Sequence, residues 1–391
     1  MNPMEIKKNV YWTGVLHPEL RLFDVLFSTP KGTTYNSYLV KGEKIAVIDT
    51  AKGRFYEQFL SSIKSLVEPE SIDYIVCNHM EPDHSGSLAR FLTEAKNARV
   101  VVSKTGEHYV NNIVNSEVNP LKVSDDDTLD LGDKTLRFIN APFLHWPDTM
   151  FTYAVEDKIL FPCDAFGSHF CDERLYDDLV GDFSQEFEYY YQGIMRPFKD
   201  RILQAVDKIK RLEIEIIAPS HGPILRSDPW KYVDQYVEWS TPPPTEAKKV
   251  LVFYASAHGN TKIMAEEIAK GAALDGVEVE VFDVTEVELG DVLDRIEAAQ
   301  ALIVGSPTVN GDALKPVWDL LSSLATVRLR GKVGAAFGSY GWSGEAVSMI
   351  EDRLKGLKFK VPQPGLKFVL VPTVEELESC REFGRKIAEG L

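Results

Sequence analysis

The chain has 391 residues, 44% of them hydrophobic, and a formal charge of −16, which is more than one ordinary core needs and excludes binding driven by nucleic-acid phosphates or anionic lipid. No apolar run reaches the ~18 residues of a membrane-spanning helix, and the opening "MNPMEIKKNVYW" has no secretory apolar region, so a cytoplasmic protein with no membrane or nucleic-acid partner is expected. The four cysteines, Cys77, Cys163, Cys171 and Cys380, contain no CxxC pair, which fits a reducing compartment and rules out a four-cysteine iron site within this sequence.

Taken in chain order, "NSYLVKGEKIAVIDT" reads as two short strands joined at Lys41-Gly42. A helix is expected from Glu57 to Leu66, then a buried strand, "SIDYIVCN". Further strands are expected at "ARVVVS", "KTLRFINA", "MFTYAV", "KILFPCD" and "EIEIIAPS". Metal-ligand side chains recur just past these apolar runs: His79, His145, Asp164 and His221. Loops at one edge of a β-sandwich can bring such residues to one point. Between His79 and His84 the chain packs His79, Glu81, Asp83 and His84 into six residues, and burying four polar groups together calls for a cation.

Three consecutive prolines in "STPPPTEAKK" mark a stiff linker, placing the domains at residues 1–245 and 246–391. Beyond it, strands and helices alternate: "KVLVFYAS", "TKIMAEEIAKGAAL", "EVEVFDV", "VLDRIEAA", "QALIVGSPT", "KVGAAFGSYG", "LKFVLVP" and a final helix from "TVEELESC". That rhythm predicts a doubly wound parallel sheet whose ligand sits at strand C-termini. Three loops there are rich in small polar residues. The first, Ser256, Ala257, His258, Gly259, Asn260 and Thr261, opens a helix and suits a phosphate. The second is Ser306, Pro307, Thr308, Val309, Asn310 and Gly311. The third, Ser339, Tyr340, Gly341, Trp342, Ser343 and Gly344, carries aromatics able to flank a planar ring. Neither a Walker A ending nor GxGxxG occurs in the first loop, which favours a monophosphate.

With "ASAHGNT" at the phosphate position, residues 249–391 resemble flavodoxin, implying bound FMN. In the first part, H-x-E-x-D-H resembles the H-x-H-x-D-H signature of the metallo-β-lactamase-like αββα sandwich. That resemblance implies His145, Asp164 and His221 as the remaining ligands, with Asp164 bridging two metals. Glu81 stands where the hydrolases carry histidine. A carboxylate there suits iron better than zinc and stabilises its oxidised state.

Together, "GTTYNSYLV", "NHMEPDHSGS", "LHWPDTM", "DAFGSH", "APSHG" and "GSYGWSGE" resemble the flavodiiron proteins, or A-type flavoproteins. The resemblance implies a non-heme diiron centre that reduces O2 to water or NO to nitrous oxide. It also implies FMN as relay, a separate donor such as rubredoxin or a reduced deazaflavin coenzyme, and a head-to-tail homodimer or dimer of dimers. One iron would be held by His79, Glu81 and His145, the other by Asp83, His84 and His221. Family members differ in whether the imidazole at His84 reaches iron. Tyr191 in "YYYQGI" sits where the family has a tyrosine near the substrate pocket. Many relatives carry a histidine in "R-x-F-H-G" where "RLFDV" places Asp24, a departure that bears on proton delivery or gas preference. Single histidines are usually ordinary hydrogen-bonded residues, as expected for His17 and His108; His258 lines the first loop, and His169 is either a neighbour of the metal ligands or a packing residue. Two rivals stay open: a zinc hydrolase fused to a flavodoxin, and a non-catalytic electron carrier. Neither O2 nor NO leaves a recognition motif in the sequence.

Overall fold

The structure is a computed structural model that describes residues 3–242 and 247–391. It divides into two compact units, Met1–Thr241 and Pro242–Leu391. The expected boundary between residues 245 and 246 lies outside the described residues.

Unit one is built on two sheets. The larger runs Met4–Lys7, Val10–Trp12, Tyr38–Lys41, Ile45–Ile48, Tyr74–Val76, Arg99–Ser103 and Leu121–Val123 in spatial order. The expected hairpin closes at Lys41-Gly42, with Tyr38 opposite Ile48. From Ile45–Ile48 onward the pairs are parallel. The smaller sheet runs Thr128–Asp130, Thr135–Asn140, Met150–Ala154, Ile159–Phe161 and Ile216–Ile217, antiparallel except for the last pair.

The strands read as apolar runs because both faces of each sheet are covered. Val40, Ile48, Val76 and Val101 of the larger sheet meet Phe138, Met150, Ile159 and Phe161 of the smaller one in a shared core. On the far face of the larger sheet, Leu39, Val47 and Ile75 pack on Phe59, Ile63 and Phe91. On the far face of the smaller sheet, Phe151 and Leu160 pack on Phe187, Ile202 and Tyr236. The layering is helix, sheet, sheet, helix, as expected. The helix foreseen from Glu57 to Leu66 forms at Tyr56–Lys64.

Unit two is a five-stranded parallel sheet. Its strands are Lys248–Tyr254, Val277–Asp283, Ala301–Gly305, Val333–Tyr340 and Leu366–Val369, ordered 2-1-3-4-5 by chain position. Val250 and Val252 point to one core and Leu251 and Phe253 to the other, so apolar packing covers both faces. Two helices not foreseen, Lys315–Ser323 and Ala346–Gly356, complete the second face. Both follow ligand-type loops directly, which drew the sequence reading to the loops and away from the helices behind them.

Helices Asn260–Ala272 and Val374–Glu389 pack closely because each carries a glycine at the contact. A Cβ on Gly384 would collide with the Ile268 carbonyl, and one on Gly271 with the Arg381 carbonyl. Backbone atoms cannot move aside as a side-chain tip can. Gly384→Ala is therefore expected to destabilise the chain by about 1–3 kcal/mol in chemical or thermal unfolding. Gly356→Ala, with nothing within 4 Å of the added carbon, is expected to be neutral or mildly stabilising.

Candidate metal centre

Each ligand-type residue near the sheet edge is held by backbone set elsewhere in the fold. His79 lies just past the strand Tyr74–Val76, where Asn78 N donates to Asp49 Oδ1 at 2.8 Å. Asp148 then braces the same loop: its Oδ2 accepts from Met80 N at 2.7 Å and lies 3.3 Å from His79 Nδ1. Pro82 opens a single helical turn, Pro82–Ser85, which carries Asp83 and His84. The carbonyl of His84 accepts from Thr50 N at 2.8 Å. Asp164 follows the strand Ile159–Phe161, and His145 lies between Thr135–Asn140 and Met150–Ala154.

His221 depends on the segment Thr33–Tyr38. Its Nδ1 donates to the Thr34 carbonyl at 2.6 Å, while Asn36 Nδ2 and the Tyr38 hydroxyl donate to Pro219 O at 2.8 and 2.7 Å. The next residue, Gly222, has φ +80° and lies so close to Ser168 that a side chain would collide with it.

All seven residues expected to bind metal converge. The ligand atoms of His79, Glu81, His145 and Asp164 lie within 4.8 Å of one another, and so do those of Asp83, His84 and His221. Asp164 joins the groups. Its Oδ2 lies 3.8 Å from His79 Nε2 and 3.7 Å from His145 Nε2, and its Oδ1 lies 3.2 Å from His84 Nε2 and 3.4 Å from His221 Nε2. Glu81 Oε2 is 3.2 Å from His79 Nε2 and 3.0 Å from His145 Nε2. Asp83 Oδ2 is 3.1 Å from His221 Nε2.

The electrostatics ask for positive charge. Among the described residues, the ion-pair partners of Glu81, Asp83 and Asp164 are all histidines. Burial alone would raise the carboxyl pKa values, yet His84 pulls Asp164 well below its ordinary range, and His84 and His221 do the same for Asp83. Burial disfavours the imidazolium of His79, but Asp148 and Glu81 outweigh it and raise the group to about 10. Asp83 Oδ1 and Oδ2, both nitrogens of His84 and His221 Nε2 are buried without a hydrogen-bond partner. Orphaned ligand atoms crowded around paired carboxylates are the donor set of bound cations. The residues therefore fit a metal pair.

One expectation needs correction. Tyr191 is buried in the outer core with its hydroxyl 3.0 Å from Ser240 Oγ and its ring against Trp239. It is Tyr190 whose hydroxyl donates to Asp164 Oδ1, at 3.0 Å. Tyr189 and Tyr190 end the helix Ser184–Tyr190 and Tyr191 opens the π-helical turn Tyr191–Met195; consecutive residues on a helical run point roughly 100° apart, and of the three tyrosines it is Tyr190 that faces the cluster. Asp24 lies on the exposed turn of a hairpin, Leu22–Phe23 with Phe27–Ser28, outside both ligand groups. Partial burial and the charges of Glu81 and Asp83 still raise its pKa.

His169 is a neighbour of the ligands: its Nδ1 is 3.0 Å from Thr33 Oγ1, and its ring packs on Phe23, Tyr190 and His221. His17 packs against Phe55 and Tyr35, and His108 and His258 are exposed. Asp148 and Tyr190 were missed as functional neighbours. Asp148 stood in plain view in "LHWPDTM", three residues past a ligand.

In unit two the three loops meet. Thr261 and Ser339 hydroxyls are 2.9 Å apart, Thr308 N donates to Ser339 O at 2.9 Å, and Ala346 N reaches Thr308 Oγ1. Ser256 Oγ accepts from Lys262 N, and Ser306 Oγ from Leu314 N. Gly259 starts the helix Asn260–Ala272 without a side-chain cap of its own, and with Lys262 N taken by Ser256 Oγ the N–H groups of Asn260 and Thr261 are the ones placed for an anion. Ala257, His258, Val309, Asn310, Gly341 and Trp342 are exposed, Trp342 at 82%. Tyr340 is half-buried, with Gly344 against its ring and Lys367 Nζ over it. Pro307, Gly311 and Ser343 complete the partly exposed rim. The fit to a phosphate-bearing planar ligand is direct.

Because Asp148 is the acceptor that orients His79, Asp148→Ala is expected to weaken metal retention by about 10–100-fold. Metal analysis after dialysis against graded chelator reads this, with circular dichroism to confirm the fold.

Residues 33–222 match the family described as ODP family beta lactamase, and residues 252–384 match flavodoxin. The chain is 44% identical to the type A flavoprotein fprA of Rhodobacter capsulatus, over 100% of this chain and 92% of the relative. It is 37% identical to a nitric oxide reductase of Moorella thermoacetica, over 99% of this chain and 98% of that one. Among solved structures, the rubredoxin oxygen:oxidoreductase of Desulfovibrio gigas aligns at a TM-score of 0.73 and 30% identity, covering 100% of this chain and 98% of that one. Sandwich, flavodoxin unit and full-length likeness agree: the chain belongs to the flavodiiron proteins, the type A flavoproteins.

Proposed function

We propose that this chain is an oxidoreductase that reduces O2 to water, NO to nitrous oxide, or both, at a non-heme iron pair supplied with electrons through FMN. One observation carries the reading. The Asp164 carboxylate turns its two oxygens toward separate histidine pairs, with Glu81 and Asp83 alongside. In this reading His79, Glu81 and His145 would hold one iron and Asp83, His84 and His221 the other, with Asp164 offering an oxygen to each. Bound iron supplies redox-active charge and open coordination positions, and FMN takes up electrons in pairs and passes them singly.

The protein's own part is placement. With Nδ1 of His79 facing Asp148 and Nδ1 of His221 facing the Thr34 carbonyl, the Nε2 atoms are left for metal. Glu81 puts carboxylate charge where an imidazole would favour zinc. Phe23, Tyr35, Trp146 and Tyr190 surround the ligand imidazoles with aromatic surface and limit water. Tyr190 takes the place expected for Tyr191, and Asp24 marks the exposed side of the cluster. In unit two, the first loop suits the FMN phosphate, and the exposed Trp342 and Val309 suit its ring.

The donor is read as rubredoxin or a reduced deazaflavin coenzyme acting as a separate carrier. No helix of the described residues is long and apolar enough to cross a membrane. A cytoplasmic head-to-tail homodimer or dimer of dimers is the assembly this reading expects, and sedimentation tests it.

Anaerobic purification is expected to yield iron and FMN, and gas electrodes should record O2 or NO consumption once a reduced donor is added. Zinc in the cluster with ester or lactam turnover lacking any reductant would assign the hydrolase reading instead. Asp164→Ala should lose paired iron and gas reduction while keeping FMN; paired iron and turnover in that variant would overturn the ligand assignment. Glu81→His should raise the zinc-to-iron ratio taken up from equimolar metals.

A further inference from the structure

Asp164 is not symmetrical in its surroundings. Oδ1, which faces His84 and His221, also accepts the Tyr190 hydroxyl at 3.0 Å. Among the described residues, Oδ2, which faces His79 and His145, has as its further contact only the Cys163 thiol at 3.8 Å, a weak donor at long range. Both Tyr190 and Asp164 are buried, so water does not level the difference.

We propose that Tyr190 is a positioning residue that makes the two metal positions unequal, by donating a hydrogen bond to the Asp164 oxygen on the Asp83, His84 and His221 side. The inference rests on the diiron reading above and adds a residue to it. A hydrogen bond to a carboxylate oxygen holds charge on that oxygen and lowers what it can donate to a cation. The metal position facing Oδ1 is thus the weaker held and more electron-poor of the pair, and Oδ2 keeps its full basicity for the other. The Tyr190 ring is fixed independently, against His169 at 4.8 Å and within the outer core. Removing the hydroxyl therefore changes the hydrogen bond while leaving the packing in place.

The test uses full-length protein reconstituted with 57Fe, read by Mössbauer spectroscopy and by the kinetics of iron release to a chelator. Wild type is expected to show two resolved quadrupole doublets and two release phases. In Tyr190→Phe the doublets should draw together, and the faster phase should slow by about tenfold, the scale of one hydrogen bond to a charged group. Tyr191→Phe makes the same chemical change one residue away and should leave both signals as in wild type. Site-specific 3-fluorotyrosine at position 190 keeps the ring and sharpens the donor, so it should widen the doublet separation; this arm stands even if the phenylalanine variant folds poorly. Unchanged doublets with unchanged or faster release in Tyr190→Phe overturn the proposal, as does an unchanged separation with fluorotyrosine. A wild-type chain that takes up no iron pair removes the diiron reading itself and the proposal with it.

Discussion

The structure turns on the placing of three carboxylates, Glu81, Asp83 and Asp164, among four imidazoles, with no lysine or arginine paired to them among the described residues. Buried negative charge on this scale is untenable without a compensating cation. Protons on the imidazoles are one answer, and they would consume the nitrogen lone pairs that point inward. Metal answers the same demand and uses those lone pairs. Two oxygens on one aspartate, facing opposite ways, set the number of positions at two.

Everything around the cluster can be seen as support for that arrangement. The sheet edges deliver His79, Asp164 and His221, and the hairpin and strand near the start of the chain bring the Thr34 carbonyl and Asn36 to steady the last of them. Asp148 steadies His79 from the opposite side. Helices on the outer face of the smaller sheet add Tyr190. The ligands come from loops, and the rigidity comes from two packed sheets behind them. Glu81 puts a carboxylate where an imidazole would leave a donor set equally at home with zinc.

The flavodoxin unit was legible because its pattern is local: each strand, loop and helix follows the last, and Ser, Gly and Asn mark the strand ends. Its helices Lys315–Ser323 and Ala346–Gly356 were not read, since each begins close behind a loop whose small polar residues read as ligand-binding chemistry. In the metal unit, the spaced His, Asp and Glu residues were recognisable as ligands, while Asp148 was passed over. A carboxylate that braces a histidine looks in sequence like any loop aspartate.

What the sequence determined by itself was chemical identity: which side chains can ligate, that a carboxylate replaces an imidazole at Glu81, and that a phosphate-type loop follows the proline linker. What only the tertiary structure decided was orientation. Tyr189, Tyr190 and Tyr191 are equivalent as letters, and the phase of one helix chose Tyr190. The two oxygens of Asp164 are equivalent too, until long-range pairing of strands sets different neighbours on each. Orientation depends on contacts between residues distant in the chain, and no local pattern encodes it.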